Sequence, residues 1–535
     1  MEPALRRKTP GFAAVVPLVT KQSPAHAATA YNGVMERQRL LLPAAAAAAT
    51  FVIHLAANPH YGFFRDELYF IICGRHPQWG YVDQPPVIPL LAAGSQIFGI
   101  SLVALRAISA LFAAASVFVT CRLVQEFGGA AFAQILAAIA VALAPVLANF
   151  GVLVAPDTVG MWAWPLVVLY LVRLQRGANP RWWLAAGAVA GVALESKYSA
   201  AFFLLAAAIG ILSTRERKML RTPWFAAGVA VALAIALPNF SWQALHGFPM
   251  IELLRNGQQG KNVTLDPATF VLQQIFITNP VLAPIWIAGL AWALWARALR
   301  WIGLGYLALL AMMIALHAKN YYACDAYPAM FALGATAIEL WTQRVCALRP
   351  VAAVAAALAG AALAPLVLPV LPVRQFITYY DALATILPIA STASEHHKQA
   401  ALPQTYADMH GWPQLAQTVA RVYDSLPPAQ RARAVIVASN YGEAAAIEFF
   451  GRGAAPVISG HNQYFLWGTR GASGDVVIDV HGDCGSSMRL FRESRRAATF
   501  SSPYVMPYEQ DMPIMVCRGI KKPLAQIWPL VRNYN

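Results

Sequence analysis

Only 12% of this 535-residue chain is charged, so the ionisable residues beside its long apolar runs stand out. Arg65-Asp66-Glu67 follows one run, and Arg75, His76 and Asp83 come later in the same loop. Pro156-Asp157 leads into another, Glu195-Ser196-Lys197-Tyr198 joins two more, and Lys319 follows a late run. Cations can hold a phosphate, Lys as a point charge and Arg as a fork. A carboxylate can take a proton from an attacking hydroxyl or amine. Together these groups suit sugar transfer from a lipid phosphate, a leaving group that needs no acid to protonate it. No Gly-rich nucleotide loop is evident, which fits a lipid-linked donor better than a nucleotide sugar. His76 and His317 lack paired metal-ligand spacing, so no metal and no cofactor is expected beyond the donor itself.

Such residues need elements to hold them. With 58% hydrophobic residues the chain cannot cover itself with polar surface, and disordered chains are apolar-poor. A polytopic α-helical membrane protein is the reading left. The net charge of +15 does not imply nucleic acid, because the cations are spread through short gaps between apolar runs. Runs long enough to span, or nearly so, fall at 38–58, 103–122, 130–150, 158–174, 182–196, 199–213, 224–244, 278–296, 301–317, 325–342 and 350–373, about 11 transmembrane helices. Residues 84–102 read as an interfacial helix.

With the N-terminus cytoplasmic, 18 Lys and Arg lie inside and 7 outside, as the positive-inside rule requires. An odd number of spans then puts 374–535 in the periplasm of an inner-membrane protein. Three regions follow: a cytoplasmic, disordered tail at 1–37, a transmembrane module at 38–373 and a periplasmic α/β domain at 374–535. In the last, 410–427 has helical periodicity, 434–439 and 475–480 read as buried strands, and 441–450 as a helix. Cys484 and Cys517 are its only cysteines, and an oxidising compartment would let them pair.

The motif Arg65-Asp66-Glu67-Leu68-Tyr69-Phe70, followed by Gly80-Tyr81-Val82-Asp83-Gln84-Pro85-Pro86, resembles the bacterial members of glycosyltransferase family 39. These share the GT-C fold with protein O-mannosyltransferases and lipid A aminoarabinose transferases. Pro156-Asp157, Lys197, and Lys319-Asn320-Tyr321-Tyr322 with Tyr327-Pro328 extend the resemblance over about residues 38–345. It implies a GT-C-like bundle and inverting transfer of a sugar from a polyprenyl-phosphate donor to a lipid, glycan or protein acceptor of the envelope. Asp66 would be the base, Glu67 would orient it or bind the acceptor, and Asp157 would position the acceptor or share the base role. Asp157 before Thr158 also suits a helix start.

Lys197, Lys319 and Arg75 would bind the donor phosphate, and Arg65, Tyr81, Asp83 and Gln84 belong to the substrate loop. Many members have Lys-Pro-Pro where this chain has Gln84-Pro85-Pro86, so either another of these cations faces the phosphate or the donor takes a different pose. Two other classes fit a polytopic chain with membrane-depth charges: a transporter or flippase of a lipid-linked sugar, and a non-catalytic scaffold. The absence of paired Gly/Pro-broken helices in repeated halves disfavours the former.

Overall fold

The apolar runs become helices, and the computed structural model describes residues 24–388, 395, 398, 400–451, 453, 455–485 and 490–535. The first helix, α1, is Pro24–Ala57. Of the tail expected at 1–37, residues 1–23 lie outside the described residues, whereas 24–37 are helical. Ala, Met, Glu and Arg in that stretch are good helix formers. Residues 43–535 form one compact unit, and those up to 42 form a separate one.

After α1 come α2 (Arg65–Arg75), α3 (Val87–Gly94), α4 (Leu102–Phe127), α5 (Ala131–Leu143), α6 (Pro145–Val152), α7 (Pro156–Gln175), α8 (Trp182–Leu194), α9 (Ala200–Leu212) and α10 (Pro223–Leu245). Then follow α11 (Pro249–Asn256), α12 (Pro267–Ile277), α13 (Ala283–Trp295), α14 (Arg300–Ala315), α15 (Tyr327–Trp341) and α16 (Arg349–Leu363). Every one of the expected spans carries a helix. Among the described residues, five helices are long and apolar enough to cross a membrane, or six if α5 and α6, bent by 64°, make one span. Among the described residues, helix length and composition therefore support five or six spans and do not establish eleven. The bend falls at Pro145, which has no N–H to continue the helix. Helices α11 and α12 lie in the gap between the expected spans at 224–244 and 278–296.

Between helices in lipid there is little hydrophobic drive, so close backbone contact must hold them together. α8 packs on α10 and α13 on α15. Gly187 lies against the Gly228 backbone, and Gly334 against the backbone at Ile285 and Gly289. A Cβ at Gly187 or Gly334 would collide with a carbonyl, so these positions need glycine.

The C-terminal part adds α17 (Val373–Ala384), α18 (Gln404–Ala407), α19 (Trp412–Asp424), α20 (Pro428–Arg431), β1 (Ala434–Ala438), α21 (Tyr441–Phe450), β2 (Val457–Ile458), β3 (Val476–Val480), β4 (Phe491–Phe500) and β5 (Met512–Ile520). The sheet order is β2-β1-β3-β5-β4. The first three strands are parallel, with Ile436 opposite Ile478, and β5 is antiparallel to both β3 and β4. Cys484 and Cys517 form a disulfide, with Cα atoms 5.8 Å apart. It closes a small core with Val435, Ile458 and Val477. α21 packs directly on α2, and Phe63 meets Phe449 edge-on at 5.1 Å.

Candidate active site

The first loop turns on a buried ion pair. Glu67 sits in the first turn of α2, fully enclosed, as is Arg106 of α4. Glu67 Oε1 accepts from Arg106 Nε at 3.2 Å and from the Val154 N–H at 3.2 Å. Its Oε2 accepts from Arg106 Nη2 at 3.1 Å and from the Phe64 N–H at 2.9 Å. Arg106 also donates to the carbonyls of Asn58, His60 and Gly62. A carboxylate has about four acceptor positions and a guanidinium five N–H groups, and all are used. Glu67 has no lone pair left for a substrate. The pair is saturated within the chain, an arrangement that suits Glu67 to holding the loop. Its bond to Val154 ties the first loop to the segment that leads into Asp157.

Asp66, one residue earlier, faces outward with a side chain 33% exposed. Its Oδ1 accepts from the Tyr441 hydroxyl of α21 at 2.8 Å and from Arg65 Nε at 3.4 Å. Arg65 lies 3.5 Å from Asp408 and donates to the Tyr508 hydroxyl at 3.2 Å. Burial pushes the Asp408 carboxyl up to about 6, against the pull of Arg65. Burial, with Asp408 nearby, pushes Glu509 up to about 8.

Asp157 is buried in the first turn of α7, where Pro156 sets the helix start. Lys197 Nζ donates to its Oδ1 at 2.6 Å and stands 4.2 Å over the Tyr322 ring. Cys324 and Asp325 complete the group: one ligand atom from each of Asp157, Cys324 and Asp325 lies within 4.8 Å of the others. The Asp325 carboxylate rests against Gly160, one turn along α7 from Asp157, where a Cβ would strike it. These three could hold a divalent ion, and Lys197 already supplies one positive charge there. The other cluster with that spacing, Asp479 with Cys484 and Cys517, has its sulfurs in the disulfide.

The remaining expected residues divide. Lys319 pairs with Glu395 at 2.6 Å, and Tyr321 lies within electrostatic reach of both Glu395 and Asp157. Arg75 lies at the far end of α2, 5.1 Å over the Phe449 ring, about 14 Å of helix from Asp66. The structure does not bring it to the Lys197 cluster. Asp83 accepts from the Tyr69 hydroxyl at 3.0 Å, and the Tyr81 hydroxyl donates to the Cys73 carbonyl at 2.8 Å. Gln84 is buried, and its Oε1 and Nε2 have no hydrogen-bond partner among the described residues. The loop is held from two sides: Asn239, Trp242 and Gln243 of α10 reach Trp79, Gln78 and Tyr81, and Gln463 accepts from the Val82 N–H.

Asp325 also lines an apolar cleft of about 70 Å³ between α7, α9, α14 and α15, with Trp164, Phe203, Trp301, Tyr306 and Met330 among its walls. The Asp157–Cys324–Asp325 group thus adjoins an apolar cleft through Asp325.

Residues 83–242 match the family model described as dolichyl-phosphate-mannose-protein mannosyltransferase. The chain resembles the crystal structure of ArnT from Cupriavidus metallidurans bound to undecaprenyl phosphate, with a TM-score of 0.59 at 15% identity, covering 90% of this chain and 98% of that one. The apo structure of the same protein has the same TM-score and identity, covering 92% and 98%. No curated protein matches. The likeness to glycosyltransferase family 39 is borne out, on a GT-C membrane fold.

Within that GT-C fold, sequence reading missed Arg106, Cys324, Asp325, Asp408 and Tyr441. Arg106 carried a signal, a lone charge inside an apolar run, since such a charge needs a partner. Asp325 carried a weaker one, an acid at the head of a span. Asp408 and Tyr441 carried none, because they come from the C-terminal domain.

Proposed function

We propose that the protein is a membrane glycosyltransferase that moves a sugar from a polyprenyl-phosphate donor to an envelope acceptor at the periplasmic face, with inversion. The observation that carries this reading is the apolar cleft adjoining the Asp157–Lys197–Asp325 group, with Asp66 on a loop joined to it through Glu67. Polyprenyl chain would lie in the cleft, its phosphate near Lys197, whose ammonium has three donors and gives one to Asp157. Asp66 would take the proton of the acceptor hydroxyl or amine. The acceptor atom then bonds to the anomeric carbon as the bond to the phosphate oxygen breaks, and the polyprenyl phosphate leaves with the electron pair. Asp157 would fix Lys197, and no metal or cofactor is assigned a step.

The lipid named in the ArnT structure supports a donor of this class. The disulfide supports a periplasmic C-terminal domain, and the excess of cations in the alternate loops supports a cytoplasmic N-terminus in the inner membrane. Lipid, glycan and protein acceptors fit the site. The test is mass analysis of envelope lipids and glycans from cells with the wild-type chain, with Asp66→Asn and without the chain. A sugar modification present only with the wild type is expected. An unaltered product with Asp66→Asn would overturn the base assignment, and no difference between any of the three would overturn the enzyme.

A further inference from the structure

The C-terminal domain reaches into the first loop at the residue assigned as the base. Tyr441 is 375 positions from Asp66, yet its hydroxyl donates to Asp66 Oδ1 at 2.8 Å. Asp66 Oδ2 carries no hydrogen bond among the described residues, and the side chain is the exposed acid of the pair at 66–67. Two more groups of the same domain, Asp408 and Tyr508, hold Arg65, and the Arg65 guanidinium stands 5.5 Å over the Tyr441 ring. Gly442 leaves the space that the Arg65 side chain fills. Nothing in the loop itself restrains Asp66 except Arg65, which Asp408 shares.

We infer that Tyr441 is a positioning residue, which locks Asp66 in one rotamer and turns the second carboxylate oxygen toward the acceptor. The inference rests on the transfer reading above. A hydrogen bond to a carboxylate favours its charged form. The titratable and charged groups facing Asp66 are Arg65 beside it, Tyr441 from α21 and Asp408 beyond Arg65, with Glu395 acting on Tyr441. Removing one hydroxyl leaves those charges in place, so the change read at Asp66 belongs to the lost bond.

The experiment compares wild type and Tyr441→Phe as the full, detergent-purified chain. The pH dependence of carbodiimide coupling to Asp66, read by peptide mass spectrometry, reports its protonation without needing activity. The midpoint should rise in the variant by about one pH unit relative to wild type, a tenfold change, since the lost bond favoured the charged form. With an undecaprenyl-phosphate sugar that the wild type turns over, the acidic limb of kcat should rise by the same amount, with KM for the donor unchanged. A midpoint that does not move overturns the inference whatever the activity. A midpoint that moves without the acidic limb leaves Tyr441 as the positioner and overturns Asp66 as the base.

Discussion

Replacing Glu67 by Gln separates anchoring from chemistry at two adjacent acids. Both Glu67 and Arg106 are fully enclosed. The amide keeps one acceptor oxygen and turns an N–H₂ toward donors that point at it, from Arg106 and from either Val154 or Phe64. Arg106 then stays charged with only carbonyls around it. Breaking a buried pair at one partner costs about 3–5 kcal/mol. Asp66→Asn touches a side chain 33% exposed, and its loss of stability should be at most about 1 kcal/mol. Thermal unfolding followed by tryptophan fluorescence measures both. Glu67→Gln should lower the midpoint by several times the effect of Asp66→Asn. Equal midpoints for wild type and Glu67→Gln, with transfer abolished, would refute the anchoring argument and return Glu67 to the chemistry.

Glu509 sets a pH dependence. Its folded value is raised from 4.5 to about 8, so the stability it contributes is full below pH 4.5 and is lost as pH climbs through about 8; Glu509→Gln should flatten the fall in thermal midpoint between pH 5 and 8. Gly160→Ala should push the Asp325 carboxylate off α7, costing about 1–3 kcal/mol and reducing transfer, as melting and turnover of the purified chain would show.

The fold was largely legible in the sequence because apolar length marks helices directly: each expected span contains one. The α/β pattern gave β1, α21 and β3 for the same reason, a buried strand followed by an amphipathic turn. It did not give β4, whose residues Phe-Arg-Glu-Ser-Arg-Arg lack alternation and pair only because β5 lies beside them. Asp66 and Asp157 were legible as acids at the ends of spans. Their settings were not. Glu67 looked as free as Asp66 until Arg106, 39 positions on, proved to enclose it. The cleft lies between helices, and periodicity describes only the helices themselves.

The bond from Tyr441 to Asp66 also orders events during synthesis. At about 5–20 residues per second, the 375 positions between them take roughly 20–75 s to make. For that time Asp66 and its loop exist without Tyr441, Tyr508 or Gln463. A nascent chain that is cut before residue 441 leaves a fragment in which Asp66 lacks this bond. Only a chain extended past residue 441 brings the Tyr441 hydroxyl to Asp66.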